Sequence, residues 1–325
     1  MRVCVTGSTG FIGGPLVRRL LAEGDAVRAL ARPSPRADAL ESIGVQVVRG
    51  HLGNSEAIAR AVEGADVVFH IAAKVNPPGT KSDFFETNAT GTECVLNTSL
   101  QTGVGKVIYL SSVSVYGLIR GDEQINESTA YDPAPQYRDY YAQSKIAADA
   151  LAVSFAEKTG LPIVILRPGL IYGPGRALPL GLLGFSLGRT NVVFGKPSLR
   201  VPLNYTENLL DALQLVAKLP GKGLRQYNIV DDEELTLGQY HAVLSEFQKK
   251  RTVYFPSLPL RAGVPVAETL LRMLPLERSA GAPLHQVRRA IEERWYVTRR
   301  IREETGWAPK ASLRDAVRKT IESTA

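Results

Sequence analysis

Hydrophobic residues recur along this chain in two alternating rhythms. Short, unbroken, mostly β-branched runs at residues 3–6, 26–30, 45–48, 66–71, 106–110 and 163–166 read as strands buried on both faces. Between them lie stretches of helical spacing at 11–23, 55–62, 82–102 and 137–158. This alternation of strand and helix predicts an α/β fold, a doubly wound parallel sheet of Rossmann type with ligand at the carboxyl ends of the strands. Beyond Arg167 the rhythm breaks. Residues 168–203 are rich in Gly, Pro and Leu with few clear elements. A helix at 205–218 and a strand at 226–230 then follow. Further helices are expected at 236–248 (capped by Thr236), 264–274, 283–293, 297–305 and 312–324. The expected organisation is a nucleotide-binding core over 1–167, with 204–230 returning to it. A smaller, mostly C-terminal substrate-binding cap takes 168–203 and 231–325.

The first break between strand and helix, VTGSTGFIGG at 5–14, holds four glycines. Glycine lets a backbone turn tightly and approach a ligand, and a helix start offers N–H groups and a positive dipole end to a pyrophosphate. Gly7, Gly10 and Gly13 form G-x-x-G-x-x-G in a strand–turn–helix context, where such spacing carries most weight. At the end of the second strand an acid would bind the ribose hydroxyls of NAD. This chain has Ala31 and then Arg32, with Arg28 and Arg36 nearby. A guanidinium attracts a 2′-phosphate, so NADP(H) is favoured, with NAD(H) possible.

Composition adds bounds. The chain has 325 residues, 44% of them hydrophobic, enough for a large core. Its net charge of +7 is scattered, and the densest cluster, Arg299, Arg300 and Arg302, lies among glutamates, which argues against nucleic acid. Two cysteines, Cys4 and Cys94, predict no disulfide framework and a reducing compartment. Four dispersed histidines give no metal cluster, and His70 reads as a packed or hydrogen-bonded residue. No signal peptide fits before Gly7, and the longest apolar stretch, 178–187, is too short to span a bilayer. A cytoplasmic protein with a small-molecule partner is expected.

Catalytic chemistry is suggested by DYYAQSK at 139–145. Tyr141 and Lys145, four apart on a helix, share one face. A tyrosine exchanging protons near neutrality must shed part of a pKa near 10, and a neighbouring ammonium favours the phenolate. Tyr140 is rotated about 100° away and has no such lysine. The run YLSSVSVYG at 109–117 leaves the fifth strand with serines able to donate to a carbonyl oxygen.

Together these segments resemble the extended short-chain dehydrogenase/reductases of the NAD(P)-dependent epimerase/dehydratase superfamily. The matching pieces are TGSTGFIG (6–13), VVFHIAAKVNP (67–77), ETNATGT (86–92), LSSVSVYG (110–117), YYAQSK (140–145), LRPGLIYGPG (166–175), YTENLLDAL (205–213) and GWAPKASLRDAV (306–317). The resemblance implies an enzyme with Tyr141 as acid/base and Lys145 on the nicotinamide ribose. The active serine would be Ser112, four before the tyrosine of V-Y-G. It places Gly7, Thr9, Gly10, Phe11, Ile12 and Gly13 around the dinucleotide, with His51, Leu52, Ala72, Ala73, Lys74 and Asn88 lining its path. Pro168 and Leu170 would lie near the carboxamide. Two departures stand out. His51 occupies the place of an acid that addresses adenine, and Asp149, where Glu is usual, reads as a structural partner.

The apolar character of Leu170, Ile171 and Tyr172 resembles the 3β-hydroxysteroid dehydrogenase-like and dihydroflavonol reductase-like branches. The implied substrate is a hydrophobic ketone or secondary alcohol, with Val113, Tyr116, Ile171, Tyr172 and Arg200 as candidate contacts. Alternatives are a nucleotide-sugar epimerase or dehydratase with retained NAD, and a non-catalytic dinucleotide sensor. A homodimer through helices 82–102 and 137–158 is expected.

Overall fold

The computed structural model describes residues 1–75, 79–117, 123–179, 184–255 and 294–323. The helices expected at 264–274 and 283–293 lie outside the described residues, as does part of the apolar stretch 178–187. Seven parallel strands form the main sheet: β1 (Arg2–Thr6), β2 (Ala26–Ala31), β3 (Gln46–Arg49), β4 (Val67–His70), β5 (Lys106–Leu110), β7 (Ile163–Pro168) and β12 (Leu224–Ile229). Their spatial order is β12-β7-β5-β4-β1-β2-β3. All six pairings are parallel, as expected where each strand is continuously apolar and helices cross over on both faces. The chain winds outward in both directions from β1, so a crevice opens between the carboxyl ends of β1 and β4.

Helices α1 (Gly13–Ala22) and α7 (Thr206–Lys218) cover one face. There Leu16, Val17, Leu20, Leu209 and Leu213 pack on Val3, Val5, Phe69 and Ile108. The opposite face carries α3 (Ser55–Val62), α5 (Gly91–Gln101) and α6 (Tyr140–Thr159), with Ile58, Val95, Ala148 and Ala152 packed on Val68, Val107 and Ile165. A short helix, α2 (Pro35–Glu41), absent from the sequence reading, is started by Ser34, whose side chain accepts from the Ala37 N–H.

Residues after β7 are more ordered than their sequence suggests. β8 (Leu170–Tyr172) pairs in parallel with β11 (Leu203–Tyr205). β9 (Gly184–Leu187), β10 (Thr190–Phe194) and β13 (Arg251–Phe255) form a separate sheet. Helices α8 (Leu237–Gln248) and α10 (Leu313–Glu322) close a further core around Tyr172, Leu203, Tyr240 and Val317. β6 (Gln124–Ile125) pairs with β14 (Trp295–Tyr296). Ile301, on α9 (Arg299–Thr305), and Trp307 pack into the core of the main sheet, and the Trp307 indole donates to Asn208 O at 3.0 Å.

Candidate active site

The glycine loop bridges β1 and α1 at the crevice. Gly7 has φ +72°, and a Cβ there would lie 2.7 Å from Ala72 N. A Cβ on Gly13 would lie 2.1 Å from Gly7 O, so the helix rests directly on the loop backbone. The Gly10 N–H donates to Gly7 O at 3.0 Å, closing the turn. Helix α1 begins after Ile12, whose side chain gives no cap; the Gly14 N–H donates to Gly10 O at 3.0 Å, and Pro15 has no N–H. Ser8 Oγ is buried with no partner among the described residues. An uncapped helix start, close backbone approach and an orphaned hydroxyl fit a pyrophosphate. Thr9 and Phe11 are half-buried beside them, and Ile12 is buried.

Around the crevice, Arg32 is exposed immediately after β2, and Arg36 is exposed on α2. Arg28 is committed elsewhere, donating to Arg60 O at 2.9 Å and Glu63 O at 2.8 Å. His51 is exposed and its Nδ1 accepts from the Gly53 N–H, while Leu52 packs where a Cβ on Gly91 would stand. Ala72, Ala73 and Lys74 follow β4, half-buried.

Asn88 sits in a π-helical turn, Glu86–Thr90, between α4 (Lys81–Phe85) and α5. The sequence reads as one uninterrupted helix here. The inserted turn is the kind of local widening found at functional sites. Asn88 Oδ1 accepts from Lys74 N at 2.7 Å, and its Nδ2 donates to Lys74 O and to Ser144 Oγ, each at 2.9 Å. Ser144 in turn donates to Tyr141 O at 2.8 Å. One buried amide thus ties the end of β4 to the helix carrying the acid/base candidate.

His70 continues this network inward. The Thr92 hydroxyl donates to Asn88 O at 2.6 Å, so it accepts from His70 Nε2 at 2.9 Å. His70 Nδ1 must then accept from the Thr6 hydroxyl at 2.8 Å. Thr6 Oγ1 also accepts the Ala72 N–H. Burial drives the imidazole pKa down to about 3, with the Lys145 charge adding to the effect, so His70 is neutral and structural.

Ser112, Tyr141 and Lys145 converge beyond the ends of β4 and β5. Ser112 caps a short 3-10 turn, Val113–Val115, accepting from the Ser114 N–H at 3.1 Å. Its side chain also hydrogen bonds with Tyr141. Helix α6 is fixed by Asp139, which caps the Ala142 N–H at 2.8 Å, and by Gly160 in left-handed conformation. Burial pushes the Tyr141 phenol up to about 12. The Asp139 charge adds to the rise, while the Ser112 hydrogen bond and the Arg176 charge oppose it. Lys145 Nζ donates to Leu110 O at 2.7 Å and Tyr109 OH at 3.2 Å, 4.7 Å above the Tyr109 ring centre. Burial lowers this ammonium to about 7, against the pull of Asp149. The ammonium turns under the helix to the end of β5, and Tyr141 keeps its proton at neutral pH.

Asp149 does serve structure, but through Arg167 rather than Lys145. Its carboxylate takes Arg167 Nη2 at 2.6 Å and Arg167 Nε at 3.0 Å in the interior, and the half-buried Tyr131 OH at 2.7 Å. Sequence reading gave Arg167 no role. Tyr116, expected at the substrate, is instead fully buried; it donates to Asn228 Oδ1 at 2.7 Å and accepts from Arg167 at 2.8 Å. Tyr172 is likewise buried, its ring tilted 50° against that of Tyr205 with centres 5.6 Å apart. Arg200 pairs with Glu234 at 3.1 Å and lies over Trp295. These three side chains are held by the protein's own packing. Val113 and Pro168 are buried, while Leu170 and Ile171 are half-buried beside the crevice. Among the described residues no cluster suited to a metal ion occurs, and no helix is long and apolar enough to cross a membrane.

A doubly wound sheet whose switch point carries a glycine loop, a serine, a tyrosine and a lysine defines a dinucleotide-dependent short-chain enzyme fold. Residues 3–229 match the model of the NAD dependent epimerase/dehydratase family, and the chain belongs to that family. Its relatives are NAD(P)-dependent dehydrogenases, reductases and epimerases. The chain is 33% identical over 248 residues to a 2-alkyl-3-oxoalkanoate reductase of Shewanella oneidensis, a match covering 72% of this chain and 63% of that protein. It is 28% identical over 253 residues to a 3-beta-hydroxysteroid dehydrogenase of Mycolicibacterium neoaurum, covering 74% and 68%. Among solved structures, the UDP-glucuronic acid 4-epimerase from Bacillus cereus in complex with NAD superposes with a TM-score of 0.73. Identity is 19% and coverage is 99% of this chain and 98% of the other, a likeness of fold.

Proposed function

We propose that the protein is an NADP(H)-dependent reductase of a hydrophobic ketone, with Tyr141 as its proton donor. The observation carrying this reading is the Tyr141 phenol: hydrogen bonded to Ser112 at the crevice and kept protonated by burial, it suits donation more than abstraction. The reduced nicotinamide, when bound, supplies hydride to the carbonyl carbon. Tyr141 gives its proton to the carbonyl oxygen as charge develops there, and Ser112 donates a second hydrogen bond to the same oxygen. Lys145 binds the ribose and, poised near neutrality, helps return a proton to Tyr141. The glycine loop and the start of α1 hold the pyrophosphate, and Arg32, with Arg36, receives the 2′-phosphate. Leu170 and Ile171 form part of an apolar wall, and the small sheets and helices after β7 act as the substrate-binding cap. The names of the two sequence relatives, an oxoalkanoate reductase and a hydroxysteroid dehydrogenase, support a ketone or alcohol on an apolar skeleton.

The test is to denature purified protein, identify any released nucleotide, and titrate NADPH and NADH separately. Exchangeable binding that prefers NADPH by about tenfold or more, reduced in Arg32→Ser, supports the reading. Stoichiometric, retained NAD overturns it in favour of an epimerase or dehydratase. We also take helices α5 and α6 as a dimer face. Light scattering showing only monomer at micromolar concentration would reject that.

A further inference from the structure

Ser112 lies just beyond the paired residues of β5, where the sheet no longer fixes the backbone. What fixes it instead is one buried ion pair. The carbonyls of the three residues after Val113 are all taken by the segment 132–138. Arg138 Nη2 donates to Ser114 O at 2.9 Å, the Asp132 N–H to Val115 O at 3.0 Å, and Arg138 Nη1 to Tyr116 O at 3.3 Å. Arg138 Nη1 also donates to Asp132 Oδ2 at 2.6 Å, and both side chains are buried. Asp132 Oδ1 accepts the Ala134 N–H at 3.0 Å, and the Arg138 N–H donates to Pro135 O at 2.9 Å. The segment thereby folds back on itself and brings the two charges together. Its last residue adjoins Asp139, the cap of α6, and Gln143 on that helix donates to Arg138 O at 2.7 Å. One arginine thus joins the turn that carries Ser112 to the start of the helix that carries Tyr141.

Stability alone does not account for these residue types. A buried ion pair is often no more stabilising than apolar side chains of similar volume, and Arg138 Nε has no hydrogen-bond partner among the described residues. The guanidinium supplies what an apolar pair lacks: two donors at fixed spacing that reach carbonyls two residues apart. We propose that Arg138 is a positioning residue, acting through Ser112 by holding its turn within reach of Tyr141. Asp132 completes the arrangement, fixing the guanidinium with its carboxylate and Val115 O with its own N–H. At 1% exposure Arg138 is closed off from the crevice, so its effect on the reaction must pass through the serine. This inference rests on the reading of Ser112 and Tyr141 as the pair that meets the carbonyl oxygen, and deepens it.

The experiment is a double-mutant cycle between Arg138→Lys and Ser112→Ala, read as the NADPH-dependent reduction of 2-octanone. Lysine keeps a charge beside Asp132, but a point ammonium cannot span carbonyls two residues apart. Arg138→Lys alone is expected to lower kcat by about 10- to 100-fold, the effect of displacing a reacting group by about 1 Å, with KM for NADPH unchanged. In the Ser112→Ala background the same change should cost less than about twofold, because the group it positions has gone. Losses that multiply assign Arg138 a general structural role and overturn the proposal. So does a kcat for Arg138→Lys within about twofold of the wild type. Where Arg138→Lys does not fold, Arg138→Met combined with Asp132→Leu, an apolar pair without the fork, enters the same cycle with the same outcomes. If the wild type does not reduce 2-octanone, the reductase reading fails for that skeleton, and amide hydrogen exchange decides the positioning. The Val115 and Tyr116 N–H groups close the turn onto Ser112 O and Val113 O, each at 3.3 Å. Arg138→Lys should speed their exchange by about tenfold or more while the amides of α6 beyond Gln143 keep their rates. Unchanged rates at Val115 and Tyr116 overturn the proposal, and so does a loss of protection shared by the whole of α6.

Discussion

The glycine-loop side and the β8–β11 side of the crevice are built in opposite ways. On the first, every critical contact is between residues near in sequence or on adjacent parallel strands: Gly7 against Gly13, Gly7 against Ala72, Thr6 against His70. On the second, short strands pair with partners far along the chain, as β10 does with β13, and single side chains such as Tyr172 and Arg200 are claimed by distant neighbours. Backbone geometry thus fixes the dinucleotide side, leaving few substitutions open. The other side is fixed by packing, which tolerates exchange of apolar residues of similar volume. A common chemistry and a variable substrate follow from that division.

The largest effect should come from the point where both sides meet. Tyr141→Phe is expected to lower kcat by about 10²- to 10⁴-fold, the usual worth of a positioned acid, while nucleotide affinity measured by fluorescence titration is retained. Loss of nucleotide binding alongside activity would show that the phenol serves structure instead. Next, Asp149→Asn leaves Arg167 in the interior without its counter-charge and should cost about 3–5 kcal/mol of stability in chemical denaturation. A loss under 1 kcal/mol would mean that Tyr131 and Gln226 suffice to hold the guanidinium.

An effect that emerges only in acid, on the dinucleotide side alone, comes from His70. His70 is depressed to about 3 in the folded protein against an ordinary value of 6.5, so between those values the unfolded chain binds the proton. Stability should therefore fall as pH drops from 6.5 towards 3, by up to about 1.4 kcal/mol per pH unit from this group. Denaturation curves of His70→Gln should show a shallower slope over that window. The smallest effect belongs to Arg200→Ala on the opposite side. Its pairing with the exposed Glu234 and its place over Trp295 predict a change of about 1 kcal/mol or less, with KM for substrate unaltered. A large rise in KM would restore Arg200 to the substrate contacts.

The same division governed what could be read in advance. β5 and α3 match their hydrophobic runs residue for residue, because buried parallel strands and amphipathic helices declare themselves locally. The π turn at Asn88 left no mark, since its widening answers to Lys74 and Ser144 rather than to spacing. β8 and β11 were missed because each finds its partner some thirty residues away. Tyr116 looked like a site residue from its place in V-Y-G, but Asn228 and Arg167, more than fifty residues on, turn it inward.

The chain of groups through His70 has a direction: each hydroxyl or ring nitrogen passes its hydrogen the same way, from Thr6 through His70 and Thr92 to the Asn88 carbonyl. Such a row leaves little room for independent change. Replacing one hydroxyl by a methyl group leaves an imidazole nitrogen unanswered, and replacing the imidazole leaves the Thr6 hydroxyl without its acceptor and the Thr92 oxygen without its donor. Positions 6, 70 and 92 are then expected to behave in descent as one inherited unit, kept together or exchanged together for an apolar set, with single departures rare among related sequences.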